Sequence, residues 1–186
     1  LPPKIVTNFD LEKTLDTSDE WITARTGIKE RRIVTNQNTC DLALEASLNA
    51  LSMAEISPQD IDLIILSTTT PDKIFPATAT MLQDRLGASC PAFDLQAVCA
   101  GFVFALSTAQ QYIENGSAKN ILVVGSETMS KIVDWSDRST AILFADGAGA
   151  VVLSADSNTG IKHSKLYSDG SYLSSLHVNN NGIDEL

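Results

Sequence analysis

A chain of 186 residues with 44% hydrophobic and 19% charged residues holds enough apolar material for a sizeable core, which excludes a disordered or collagen-like polymer. Thirteen Lys and Arg against 23 Asp and Glu give a formal net charge of −10. Such a field repels nucleic acid and anionic membrane, so an acidic ligand must be met by a local basic patch. Three scattered cysteines suit a reducing compartment, and the longest apolar runs are far short of a membrane span. The expectation is a cytoplasmic globular protein, either one domain or one half of a larger catalytic unit.

In chain order, Leu1-Pro2-Pro3-Lys4-Ile5-Val6 reads as loop. A charged segment from Asp10 to Arg32 contains a helix-like stretch near Asp19–Arg25, stopped by Gly27. Leu42 to Met53 places Leu42, Ala46, Ala50 and Met53 on one face, which predicts an amphipathic helix. Ser57-Pro58 reads as an N-cap followed by Pro at the first helical position. Leu63-Ile64-Ile65-Leu66 is a continuous apolar run bounded by turn residues, as in a strand buried on both faces. A helix over Ala77–Leu86, a short strand over Pro91–Leu95, a helix over Ala100–Glu114 and a buried strand over Asn120–Gly125 follow. This alternation predicts right-handed βαβ units. Ala141–Phe144 and Ala150–Leu153 flank Asp146-Gly147-Ala148-Gly149, which predicts an antiparallel hairpin with a glycine turn. Residues 179–186 read as a loop or frayed end.

The helix after Cys99 opens Gly101-Phe102-Val103-Phe104-Ala105-Leu106. Apolar residues all round a helix mean protein on every side. That fits an ordinary three-layer core, or a middle layer between this sheet and another that the chain does not supply. Cys99 sits where a short strand gives way to this helix. A helix N-terminus favours a thiolate and can stabilise an oxyanion on an attached acyl group; the alternative is a small buried hydrophobe, as most free cysteines are. Cys40 and Cys90 read as structural thiols. His163 and His177 are too far apart for a metal motif and there is no Cys-x-x-Cys, so no metal site is expected. Trp21 and Arg25, four apart, share a helix face: they either stack a flat ring and bind a phosphate, or the indole simply packs on its own Arg. Lys29, Arg31 and Arg32 form a basic cluster that is either a solvated face or a phosphate-facing patch.

Several segments together resemble one family. Asp16-Thr17-Ser18-Asp19-Glu20-Trp21-Ile22, Arg25-Thr26-Gly27-Ile28, Ala92-Phe93-Asp94, Cys99-Ala100-Gly101-Phe102, Asp137-Arg138, Asp146-Gly147-Ala148-Gly149-Ala150 and Asp169-Gly170-Ser171 run in the order found in β-ketoacyl-acyl carrier protein synthase III of bacterial fatty-acid synthesis. The resemblance implies an α/β thiolase-like fold, with residues 1–178 as the N-terminal βαβαβαββ half of an α-β-α-β-α five-layer architecture. It implies that Cys99 takes an acyl group from a starter acyl-CoA and that the acyl-enzyme condenses with malonyl-acyl carrier protein, with no cofactor. Trp21 and Arg138 then sandwich the CoA adenine, while Thr17 and Arg25 contact the nucleotide. Phe75 reaches across a homodimer to close the partner's acyl pocket, and Phe144 stands near the cysteine. Lys29, Arg31 and Arg32 are candidates for docking the acidic acyl carrier protein. The resemblance also places a first, central strand before Leu1, and a catalytic His and Asn and a second oxyanion donor in a second half beyond this chain. On that reading the chain can acylate Cys99 but not complete condensation. Val98 before the cysteine and Ala145 are mild departures expected to narrow local packing. Alternatives are another thiolase-fold synthase, of alkylquinolones or polyketides, or a non-catalytic acyl-CoA-binding half.

Overall fold

The computed structural model describes residues 1–158 and 160–178, so the end expected to be loop or frayed lies outside the described residues. A four-stranded sheet forms the centre. It contains β3 (Leu63–Ser67), β4 (Ala92–Leu95), β5 (Asn120–Thr128) and β6 (Asp146–Ser154), in the spatial order β4-β3-β5-β6. β3 runs parallel to both β4 and β5, and β6 returns antiparallel to β5 from Asn120↔Ser154 to Thr128↔Asp146. The helices α4 (Thr78–Leu86) and α5 (Gly101–Glu114) are the two crossovers.

Side-chain alternation sends the strand residues to two cores. Ile64, Leu66, Leu122 and Val124 face α4 and α3 (Thr39–Ala54), meeting Ala43, Leu51, Ala79, Leu82 and Leu86. Leu63, Ile65, Ile121 and Val123 face Ala105 and Ala109 of α5. With both faces covered, every residue of β3 is buried, which is why parallel strands read as unbroken apolar runs. Each such Leu, Ile or Val contributes about 1.5–3 kcal/mol by leaving water.

Aspartates fasten the element ends. Asp94 accepts from the Thr78 and Ala79 N–H groups, both at 2.7 Å, where Ala77 offers α4 no side-chain cap. Asp72 does the same for Thr39 and Cys40 at the start of α3, at 2.8 and 3.1 Å. Asp62 accepts from the Lys119 and Asn120 N–H groups at the start of β5, at 2.7 and 2.9 Å.

Beside the sheet lies a smaller unit. A two-stranded antiparallel ribbon, β1 (Lys4–Thr7) with β2 (Glu30–Ile33), carries the short helix α1 (Asn8–Leu11) and α2 (Asp19–Thr26). Buried Asn8 is its hub: Nδ2 donates to Asp19 Oδ1 at 2.8 Å and to the Ile28 carbonyl at 2.7 Å, while Oδ1 accepts from Arg31 at 3.0 Å. Leu11, Leu15, Ile22, Ala141 and Ile142 form a third core, which seats α2 against α6 (Arg138–Ala141).

Several expectations change. Leu1–Val6 is not all loop, because Lys4–Thr7 pairs with Glu30–Ile33. The buried side of α3 carries Cys40, Leu42, Ala43, Ser47 and Leu51, with Ala50 packed on the same core, so of the face inferred from Leu42, Ala46, Ala50 and Met53 it is Met53, 88% exposed, that turns to solvent. Ala141–Phe144 is no hairpin strand: it is the end of α6 and a turn, and Asp146–Gly149 already belongs to β6, whose partner is β5. The first strand expected before Leu1 does not belong in the centre, since β4, β3, β5 and β6 are contiguous hydrogen-bonded neighbours. Of the two settings expected for the start of α5, full enclosure in this chain's own core does not hold: Ala105 is fully buried but Val103 is 54% exposed, as in a middle layer whose second sheet this chain does not supply.

Candidate active site

At the carboxyl ends of β3 and β5 the large apolar residues give out. On the face that carries Leu63, Ile65, Ile121 and Val123, the next positions are Ser67, Gly125 and Glu127. Gly149 and Gly147 pair with the last two across β6. These small residues leave a cleft of about 300 Å³, lined by Ser67, Val98, Cys99, Phe102, Gly125–Glu127 and Gly147–Gly149. Ligands in open α/β sheets bind at this end of the strands.

Cys99 lies in a single 3-10 turn, Val98–Ala100, that leads from β4 into α5. It is exposed, while Cys40 and Cys90 are buried. Burial pushes both buried thiols up from their ordinary values, which keeps them protonated. Its exposure sets Cys99 apart from the small buried hydrophobe that most free cysteines are. Val98 has φ of 48°, a left-handed conformation that costs a β-branched residue about 1–3 kcal/mol. Val98 is 59% exposed, so it strains the turn that presents Cys99 and does not narrow the packing. The α5 N-terminus has no side-chain cap; the Ala100 and Gly101 N–H groups donate to the Ala97 and Val98 carbonyls within the turn, and the positive end of the helix dipole lies beside Cys99. Gly101 serves packing: a Cβ there would lie 2.0 Å from Ser67 Oγ, so only glycine lets α5 approach β3 so closely. Gly125 admits the Phe102 ring, which would stand 3.3 Å from an added Cβ.

A second cluster gathers on α2. Ser18 caps the helix by accepting from the Trp21 N–H at 3.1 Å, and Gly27 ends it at φ 72°. Arg25 Cζ lies 4.2 Å and Arg138 Cζ 4.7 Å from the centroid of the Trp21 ring. Arg138 is further fixed by donating to the Asp16 carbonyl at 2.8 Å. The neighbouring Thr17 has a buried hydroxyl without a hydrogen-bond partner among the described residues. Residues 122 positions apart in sequence thus meet: two cations on one indole, beside an unsatisfied hydroxyl. The packing of Trp21 on Arg25 and the capacity of the group for a flat anionic ligand coexist.

The other candidates are not brought to the cleft. Phe75 is 82% exposed on the loop before α4. Phe144 is half-buried in the turn before β6 and does not line the cleft. Arg31 is buried, donating to Asn8 and to the Ile142 carbonyl at 2.9 Å, so it cannot serve as a docking residue, and burial lowers its pKa from the ordinary value. Lys29 is exposed and Arg32 half-buried beside Glu30. His163 and His177 are exposed. Asp146 is buried under three donors, from Val34 N–H, Ser130 N–H and Ser130 Oγ, at 2.7, 2.8 and 2.6 Å. Its motif is thus a clamp and a strand start, where a turn was expected. Sequence reading missed Glu127 and Ser67; their signal was a small or polar residue ending each buried apolar run.

The match to known proteins follows this geometry. Residues 93–170 match the family 3-oxoacyl-[acyl-carrier-protein (ACP)] synthase III. The chain is 67% identical over 186 residues to β-ketoacyl-[acyl-carrier-protein] synthase III of Vesicomyosocius okutanii subsp. Calyptogena okutanii (strain HA), covering all of this chain and 59% of that protein. It is 60% identical over 181 residues to the protein of that name from Neisseria gonorrhoeae (strain NCCP11945), covering 96% and 57%. The crystal structure of 3-oxoacyl-[acyl-carrier-protein] synthase III from Aquifex aeolicus VF5 superposes with a TM-score of 0.94 at 51% identity, covering 98% of this chain and 60% of that one. Sequence and fold are those of the N-terminal part of a β-ketoacyl-[acyl-carrier-protein] synthase III. The fold is the thiolase fold of these synthases, and the chain spans somewhat under three fifths of the length of the curated relatives it matches. Among the described residues, no helix is long and apolar enough to cross a membrane.

Proposed function

We propose that this chain carries the acyl-accepting site of a condensing enzyme that starts fatty-acid synthesis. The observation that carries the reading is the exposed Cys99 on a strained turn at the head of α5, facing a cleft at the strand ends. In the first half-reaction the Cys99 sulfur attacks the thioester carbonyl of an acyl-CoA. A new C–S bond forms, the bond to CoA breaks, and the thiol proton leaves with the CoA thiolate. The positive end of the α5 dipole favours the negative charge that develops on the oxygen of the tetrahedral intermediate. Trp21, Arg25, Arg138 and Thr17 bind the CoA nucleotide. Arg138 now stacks on Trp21 at 4.7 Å, and a purine held between them needs about 7 Å, two van der Waals spacings, so Arg138 swings outward as the ring enters.

The second half-reaction, decarboxylative condensation of the acyl group with malonyl-acyl carrier protein, uses the His and Asn that the family places beyond this chain. No cofactor enters either step. Residues 1–178 act as one half-domain. Phe75 closes the acyl pocket of the second copy in a homodimer, a role that its exposure suits. Free, unpaired cysteines suit a reducing cytoplasm.

Rapid-quench measurement of CoA released from acetyl-CoA tests the reading. One equivalent per chain in a burst, abolished in Cys99→Ala, is the expected result. Trp21→Ala is expected to weaken CoA binding by about 5–150-fold, the value of one lost stacking contact. A burst that survives in Cys99→Ala overturns the assignment.

A further inference from the structure

Among the described residues, the one charged side chain lining the Cys99 cleft is Glu127, and it is turned onto a loop. Its Oε1 accepts from the Thr69 N–H at 2.8 Å, and its Oε2 accepts from the hydroxyls of Thr70 at 2.6 Å and Thr68 at 3.3 Å. The clamp is reciprocal, because Thr70 Oγ1 accepts from the Thr128 N–H at 2.8 Å. Beyond Ser67, β3 has no further pairing with β5, so these side-chain bonds continue the seam between the two strand ends after the backbone ladder has stopped. Ser67 and Glu127 stand on the two sides of that seam and both line the cleft. The seam is therefore one wall of the space that an acyl group on Cys99 would occupy.

We propose that Glu127 is a positioning residue that sets the size of acyl group accepted at Cys99, by stapling the Thr68–Thr70 loop to the end of β5. The proposal rests on the acyl-transfer reading above. A glutamine has the same shape but offers one acceptor oxygen. With its oxygen on the Thr69 N–H, its NH2 can only donate to the Thr70 and Thr68 hydroxyls. These lose their charged acceptor, and the Thr70 hydroxyl, which already accepts from the Thr128 N–H, must turn its own proton away, so this arm of the staple weakens and the wall loosens. Small acyl groups lose little by this, and larger ones gain room.

The test compares acyl transfer to Cys99 from acetyl-CoA and from hexanoyl-CoA in the wild type, Glu127→Gln, Thr70→Val and the double variant. Amide hydrogen exchange is read on the same proteins without substrate. In Glu127→Gln, exchange across residues 68–70 is expected to quicken while the rest of β5 is unchanged. The hexanoyl-to-acetyl ratio is expected to rise about ten-fold, the scale of a sub-ångström change in positioning. Thr70→Val should shift the ratio in the same direction, and the double variant should add little, since both remove one staple. Equal loss of both transfers, or an unchanged ratio, overturns the proposal, as does unchanged exchange at 68–70. No transfer in the wild type overturns instead the reading on which the proposal rests. The exchange arm decides about the staple even in that case, and Thr68→Ala, which removes the 3.3 Å bond to Glu127 and the acceptor of the Thr70 N–H at 3.0 Å while leaving the Thr69 and Thr70 bonds to Glu127 in place, serves if the stronger variants do not fold.

Discussion

Asp146→Asn changes no shape, yet the structure predicts a large loss of stability. Asp146 is 3% exposed, and its two oxygens divide three donors. Oδ1 takes the Ser130 N–H at 2.8 Å, while Oδ2 takes the Val34 N–H at 2.7 Å and the Ser130 hydroxyl at 2.6 Å. An asparagine amide must aim its NH2 at one backbone N–H whichever way it flips. The better flip keeps Oδ2 as oxygen and orphans the Ser130 N–H. A buried orphan donor costs about 1–3 kcal/mol, and the remaining bonds lose their charge assistance. The sum is about 3 kcal/mol, or roughly 6–12 °C in melting temperature for a chain of this size. Urea denaturation checks it, through a lower midpoint at unchanged slope. The same change at Asp137 is the control. Asp137 caps α6 by accepting from the Ser139 N–H at 2.8 Å, and asparagine caps as well as aspartate. A loss in Asp146→Asn below about 1 kcal/mol, or one matched by Asp137→Asn, refutes the clamp.

Three further outcomes follow from the same contacts. Arg31→Leu leaves Asn8 Oδ1 and the Ile142 carbonyl without this donor and is expected to cost about 2–4 kcal/mol, whereas Lys29→Ala should change stability by less than about 0.5 kcal/mol; denaturation curves separate them. At neutral pH one thiol per native chain, Cys99, should react with iodoacetamide, and all three after unfolding, because burial raises Cys40 and Cys90; peptide mapping that finds Cys40 or Cys90 labelled first contradicts the burial. The Asn120 and Lys119 N–H groups hold the Asp62 carboxyl below its ordinary value of 3.8. A depressed carboxylate stabilises the fold above its unfolded value and loses that contribution as pH falls through the folded one. Stability should therefore decline below pH 3.8, and less steeply in Asp62→Ala, as acid titration of the fold would show.

The parts of the fold legible in the sequence are those whose signal is local. The run Leu63–Leu66 and the run from Ile121 to Val124 announce strands buried on both faces, and Gly27 and Gly87 end helices at φ 72° and 68°. The ribbon of β1 with β2 is not legible, because four-residue strands full of Lys, Glu and Arg are held by tertiary contacts: Asn8 and Arg31 bond across 23 positions. The false hairpin arises from reading Gly147 and Gly149 as turn glycines, when neither has positive φ. Both lie in a strand and leave room in the cleft. At the site, the exposure of Cys99 follows from its place between a strand and a helix. The pairing of Trp21 with Arg25 follows from helical spacing, whereas the approach of Arg138 across 117 positions rests, in the sequence, on the family resemblance alone, and the structure shows it directly. Arg31 groups with Lys29 and Arg32 as a basic patch along the chain, but strand alternation turns it inward: β2 reads exposed, buried, half-buried, buried.

The central claim is that Cys99 receives an acyl group. Intact mass of the purified protein before and after acetyl-CoA, beside Cys99→Ala, tests it most directly. The account predicts one acetyl added, mapped to the peptide that carries Cys99, and none in the variant. An adduct that persists in Cys99→Ala, or a folded wild-type protein that gains none, contradicts it.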